Sequence, residues 1–211
     1  MKKKSNTVIT VIQSLLALAC AGYCIYTVIN GAGSGGQQWP AIACLLALGA
    51  TLDYMFRGYR KRAARAYKLM ILCCALASLL CLVPHTFNHT ATAEAPVASA
   101  LCSLGYAMAF GAYLLIAFVP DLGEVKSAAL LGFVFLVHLA VFTCCLILQP
   151  GKLIGNGTIF DSMRAARHLS ILVLTVNAAL CTHFKYVDKA ERHAILNNRK
   201  KTAEPEDGGA S

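Results

Sequence analysis

The sequence predicts an all-α, polytopic membrane protein: a bundle of six transmembrane helices with both termini on the cytoplasmic side (N-in/C-in). Three observations carry that reading. Of 211 residues, 57% are hydrophobic and only 14% are charged, and the mean hydropathy of +0.60 is too high for an ordinary soluble domain. Six apolar stretches approach the roughly 20 residues that cross about 30 Å of hydrocarbon while satisfying their own backbone groups. The basic residues, finally, gather on one side of those stretches, as they do in loops retained in the cytoplasm.

The first span, 7–29, follows Lys2, Lys3 and Lys4 and carries Gln13 nearer its cytoplasmic end. GAGSGGQQ, residues 31–38, is a flexible outer connection. The second and third spans, 40–56 and 67–83, are short, so they must stand upright or use Trp39, Tyr54, Phe56 and Tyr67 as interfacial anchors. The stretch between them, RGYRKRAARAYK at 57–68, is read as a topogenic loop rather than as a lipid or partner site. In the fourth span, 96–119, Gly105, Ala109 and Ala112 share one stripe, and Ala107 with Gly111 form another. Small residues let backbones approach closely in lipid, which predicts a central place for this helix. The fifth span, 127–148, contains no Lys, Arg, Asp or Glu, and the sixth covers 168–186. KYVDKAERHAILNNRKK, residues 185–201, is expected to continue as a helix along the inner interface. A membrane domain over 1–201 and a disordered tail over 202–211 result.

Of the 19 basic residues, all but Lys152, Arg164 and Arg167 fall on the side of the termini. That asymmetry predicts a plasma (inner) membrane protein of positive-inside type, and the small size and minimal loops suggest a bacterial one. The formal charge of +9 then reflects topology and attraction to anionic membrane lipids, not nucleic-acid binding.

Few groups inside the spans can do chemistry. His138 sits near the middle of its helix, where facing lipid would leave both ring nitrogens without partners, so it must face the bundle. Asn177, at the midpoint of the sixth span, is placed at the same depth and can both donate to and accept from an imidazole. The two are expected to pair, either as interhelical glue or as a proton or substrate site, with Gln13 joining the network. Asp53, four residues before Arg57, is either an interfacial ion pair or a proton acceptor on the cytoplasmic exit. A second cluster is expected near the outer face: Cys24, Cys44, Cys81, Cys102, Cys144 and Cys145 with His85, His89 and His168. Thiols with imidazoles suit Cu(I) or Zn, thiols beside an oxidising compartment suit disulfide exchange, and a thiol in a helix also packs as a small apolar group.

No Walker loop, dinucleotide fingerprint, nucleophile elbow or zinc-protease helix occurs, and no cofactor is specified, which weighs against an enzyme. The favoured function is a small-solute or ion transporter, or a transporter subunit, with its polar site at His138, Asn177, Asp53 and Gln13. The alternatives are a thiol or metal redox protein working through the outer Cys and His residues, and an assembly partner with no site of its own. A homo-oligomer or a larger membrane partner is expected for so small a bundle. These readings differ structurally: transport needs water to reach His138, whereas redox chemistry needs two sulfurs within disulfide reach or ligands converging on a metal.

Overall fold

A bilayer cannot hydrogen-bond to an exposed backbone, so apolar runs of this length resolve as helices. The computed structural model describes residues 2–30, 38–57, 64–87, 96–119, 122–148 and 163–203, with side chains described for 7–29, 38–57, 64–83, 100–119, 122–144, 167–187 and 189–198. These residues form six helices: α1 (Lys2–Asn30), α2 (Gln38–Phe56), α3 (Ala64–Phe87), α4 (Pro96–Phe118), α5 (Glu124–Leu148) and α6 (Met163–Ala203). All six are long and apolar enough to cross a membrane, and no strand occurs among the described residues. At α3, 24 residues replace the short third span expected, because its helix starts in the basic loop and runs past Val83. Gly123 turns the chain into α5 with a positive φ of 72°, a conformation that favours glycine, and Glu124 then complements the positive end of the helix dipole.

The bundle is inside out relative to a soluble one. Large apolar side chains such as Val8, Ile12, Leu15, Leu46, Phe133 and Leu136 are exposed, while Thr51, Ser78, His138, His168, Thr175, Asn177 and Thr182 are fully buried. Water would reverse that arrangement, and lipid rewards it.

Helix α6 organises the interior. It packs on α1, α2, α3 and α5, and its buried polar side chains reach every other helix. Ser170 meets Cys24 of α1 at 3.7 Å, and Asn177 donates to Thr51 of α2 at 3.0 Å. Thr182 pairs with Tyr67 of α3 at 2.8 Å, Thr175 with Tyr113 of α4 at 2.9 Å, and His168 with His138 of α5 at 3.1 Å. Because lipid is as apolar as the helix faces, such contacts and close packing decide which helices associate.

The central place expected for α4 therefore belongs to α6. Helix α4 packs against α3 and α5, with Gly105, Ala109 and Ala112 buried, but Ala107 is exposed and Gly111 meets open space. The sixth helix also departs from a span of 168–186: it is one continuous helix of 41 residues. At 1.5 Å per residue that is about 60 Å, twice the hydrocarbon thickness, and the side chains at 189–198 are all exposed. The tail from residue 204 lies outside the described residues.

Candidate functional site

Helix α5 carries His138 on a buried stripe with Leu131, Val134 and Val141. Its ring meets not Asn177 but His168, near the start of α6: His138 Nε2 and His168 Nδ1 are 3.1 Å apart. The other His168 nitrogen, Nε2, lies 3.1 Å from Cys102 Sγ on α4. Three helices thus share one hydrogen-bonded chain, Cys102 to His168 to His138, buried throughout. Tyr106 stacks on His168 with ring centroids 4.9 Å apart and an interplanar angle of 19°, and Phe142 approaches the same ring at 5.6 Å.

One glycine makes room for this chain. A Cβ at Gly105 would fall 2.9 Å from His138 Nδ1, so the imidazole occupies the space a side chain would take. His138 Nδ1 lies against that backbone and makes no hydrogen bond of good geometry among the described residues. Only one proton can sit between the two rings, so tautomers along the chain are linked. With His168 Nδ1 donating, His138 carries its proton on Nδ1 and Cys102 donates its S–H to His168. With His138 Nε2 donating, His168 donates to Cys102 and His138 Nδ1 is a bare lone pair. Interconverting the two neutral forms moves protons along the chain in one direction, which is the behaviour of a relay.

A thiol pair lies in the same part of the bundle. Cys44 Sγ of α2 and Cys81 Sγ of α3 are 3.8 Å apart, both fully buried and both free thiols. Arg167, also buried, acts electrostatically on Cys44 and on Tyr106, and Tyr106 is in turn within reach of Cys81 and Cys102. The thiols, the imidazole pair, the phenol and the guanidinium therefore form one buried polar layer. It lies at the end of the bundle where α2, α4 and α6 begin and α3 and α5 end.

The remaining candidates separate into other places. Asn177 belongs to a layer with Thr51 and Cys181, whose Sγ is 3.6 Å from the Thr51 carbonyl, and Asn177 Oδ1 has no partner among the described residues. The expected His138–Asn177 pair fails because span midpoints do not fix depth: α6 starts at Met163 and overshoots the bundle, so His168 and not Asn177 comes level with His138. Gln13 Nε2 reaches the Val173 carbonyl only at 3.5 Å. Asp53 is exposed at the far end of α2 and accepts from Arg57 Nε at 2.7 Å, an interfacial ion pair with no link to His138. Of the expected outer cluster, Cys24, Cys44, Cys81, Cys102 and His168 are buried together, whereas Cys144 is exposed. The side chains of His85, His89 and Cys145 lie outside the described residues. Among the described residues no three His, Cys, Asp or Glu side chains converge as metal ligands.

Sequence reasoning missed Tyr106 and Arg167. Arg167 counts as a loop charge in any hydropathy reading, and the adjacent Arg167 and His168 at the start of an apolar run are the one available signal that the helix carries charge inward. No family model matches the chain, and neither a curated protein nor a solved structure matches it.

Proposed function

We propose that this is a membrane-embedded thiol redox protein whose working pair is Cys44 and Cys81. The observation that carries the reading is the 3.8 Å contact between their sulfurs. A disulfide requires the two sulfurs to close from that contact to an S–S bond of about 2.05 Å. In forming it, the two thiols lose two protons and two electrons. Burial of both sulfurs keeps a folded protein substrate away, so the acceptor is a small, lipid-soluble two-electron oxidant of the quinone class, which leaves as the hydroquinone with both protons. The Cys102–His168–His138 chain is the adjacent route for proton movement.

The distribution of Lys and Arg supports placing both termini in the cytoplasm of a plasma membrane. That orientation puts the thiol layer in the half of the bundle near the oxidising compartment, where disulfides persist. Transport through His138 is the second reading, favoured by the buried imidazole pair. His138, Cys44 and Cys81 are all fully buried, so both readings need the bundle to open, and the redox reading ranks first on the direct contact of its two reacting sulfurs.

The test is to treat the full chain in lipid nanodiscs with decylubiquinone and then measure intact mass and denatured thiol count. Formation of one Cys44–Cys81 disulfide, removing two hydrogens and two maleimide-reactive thiols and absent in C44S and C81S, is the expected result. A full thiol count after quinone treatment, or a disulfide between other cysteines, would sink the redox reading. Proton flux into proteoliposomes that His138→Gln abolishes would then support transport.

A further inference from the structure

At the opposite end of the bundle from the thiols, the start of α3, the end of α4, the start of α5 and the middle of α6 enclose a cavity of about 290 Å³. Its wall holds two ammonium groups, each seated on an aromatic face. Lys185 Nζ lies 4.1 Å above the Tyr67 ring and 5.2 Å from that of Tyr186, and Lys68 Nζ lies 4.4 Å above the Phe118 ring. An aromatic face holds a cation in place without neutralising it. Neither lysine is in an ion pair with a described carboxylate, and Glu124, on the same end of the bundle, is bonded to His183 at 3.1 Å. Ser127, buried, adds a hydroxyl to the wall, and Tyr67 and Tyr186 stand beside it among aliphatic side chains and Phe118. Two compact positive charges lining one small cavity, with a hydroxyl beside them, complement a small anion. The cavity sits where α3 and α5 begin and α4 ends.

We propose that this cavity binds a phosphate group through Lys68 and Lys185. Its charge and size suit the phosphodiester of an anionic lipid, and a soluble phosphate shares the same chemistry. The site is independent of the thiol reading, because it lies on other residues at the other end of the helices. It also gives the basic stretch at 57–68 more than a topogenic role, since Lys68 is its last residue.

The experiment is a thermal-shift titration of the detergent-purified full chain with phosphatidylglycerol in mixed micelles and, separately, with inorganic phosphate. Stabilisation by phosphatidylglycerol that is lost in the Lys68→Gln/Lys185→Gln variant is the expected result, and identifies lipid as the source. The same loss seen with inorganic phosphate supports the site and assigns it to a soluble anion. Each single Lys→Gln change is expected to weaken apparent affinity about fivefold, from the contribution of one lysine near an anionic surface. The Lys68→Arg/Lys185→Arg variant, which keeps the charge, retains the shift, and the single variants replace the double one if it does not fold. No shift with either probe, or a shift equal in wild type and the Gln variants, would overturn the proposal.

Discussion

A methyl group at position 105 would lie 2.9 Å from His138 Nδ1, closer than carbon and nitrogen tolerate, and the ring is hemmed in by Tyr106 at 5.2 Å and His168 at 4.9 Å between centroids. Gly105→Ala therefore overpacks the site and is expected to cost about 1–3 kcal/mol, the range for extra methylenes forced into a packed interior. Reversible unfolding in mixed micelles measures it, and wild-type stability would mean that His138 has room to move. His168 gives the complementary experiment, because both its nitrogens are engaged. Phenylalanine there keeps the ring against Tyr106 but strands His138 Nε2 and Cys102 Sγ, an expected loss of about 1–3 kcal/mol for leaving buried groups unpaired. Removing the partner as well, in His138→Phe/His168→Phe, should cost less than the sum of the two single changes, and strict additivity would show that the imidazoles are not coupled. That His138 faces the interior was legible in the sequence, since an imidazole cannot be left bare in hydrocarbon. Its partner was not legible, because choosing between His168 and Asn177 requires the relative depth of α5 and α6, which depends on where helices start and not on where apolar runs are centred.

Helix α6 is the element on which the bundle depends, and its polar side chains are its means. Thr175 and Thr182 lie two turns apart on it and tie different partners, Tyr113 of α4 and Tyr67 of α3. Each Thr→Val change keeps shape and removes one interhelical bond, with an expected cost of about 0.6 kcal/mol and an upper bound near 1.7 kcal/mol. The two sites share no partner, so the double variant should show the sum. A loss above about 3 kcal/mol for either one alone would mean that these threonines do more than link helices. Existence and order of all six helices were legible from apolar length alone. What hydropathy could not convey is the reach of α6, since beyond Tyr186 the chain turns polar and is sustained as helix by Lys, Ala, Glu and Arg, residues of good helix propensity. Nor could small-residue stripes locate the hub: Ala107 and Gly111 repeat at packing distance yet face outward, whereas SxxxxTxN from Ser170 to Asn177 faces inward along α6 because its hydroxyls and amide have no partner in lipid.

For the whole molecule, orientation in the membrane decides which compartment each end of the bundle faces. The bundle has two chemically different ends, a buried thiol and imidazole layer at one and a lysine-lined cavity at the other, and the membrane gives them meaning only once orientation is set. The basic residues sit with the termini and the lysine cavity, so that end is expected in the cytoplasm. A fluorescent protein fused after Ser211 should therefore fold and fluoresce, while alkaline phosphatase placed in the connection at 31–37 should be exported and active. The opposite pattern would reverse both assignments together: the thiols would face a reducing compartment, where a disulfide does not persist, and the lysine cavity would meet the outer leaflet. Adding four lysines at 31–37 tests the cause as well as the outcome. If the charge difference sets the orientation, that change should produce a mixed population of both topologies, with phosphatase activity at 31–37 falling as terminal fluorescence falls. If instead activity and fluorescence stay as in the parent, the orientation is held by the apolar helices themselves, and the basic residues are then free to serve the phosphate site alone.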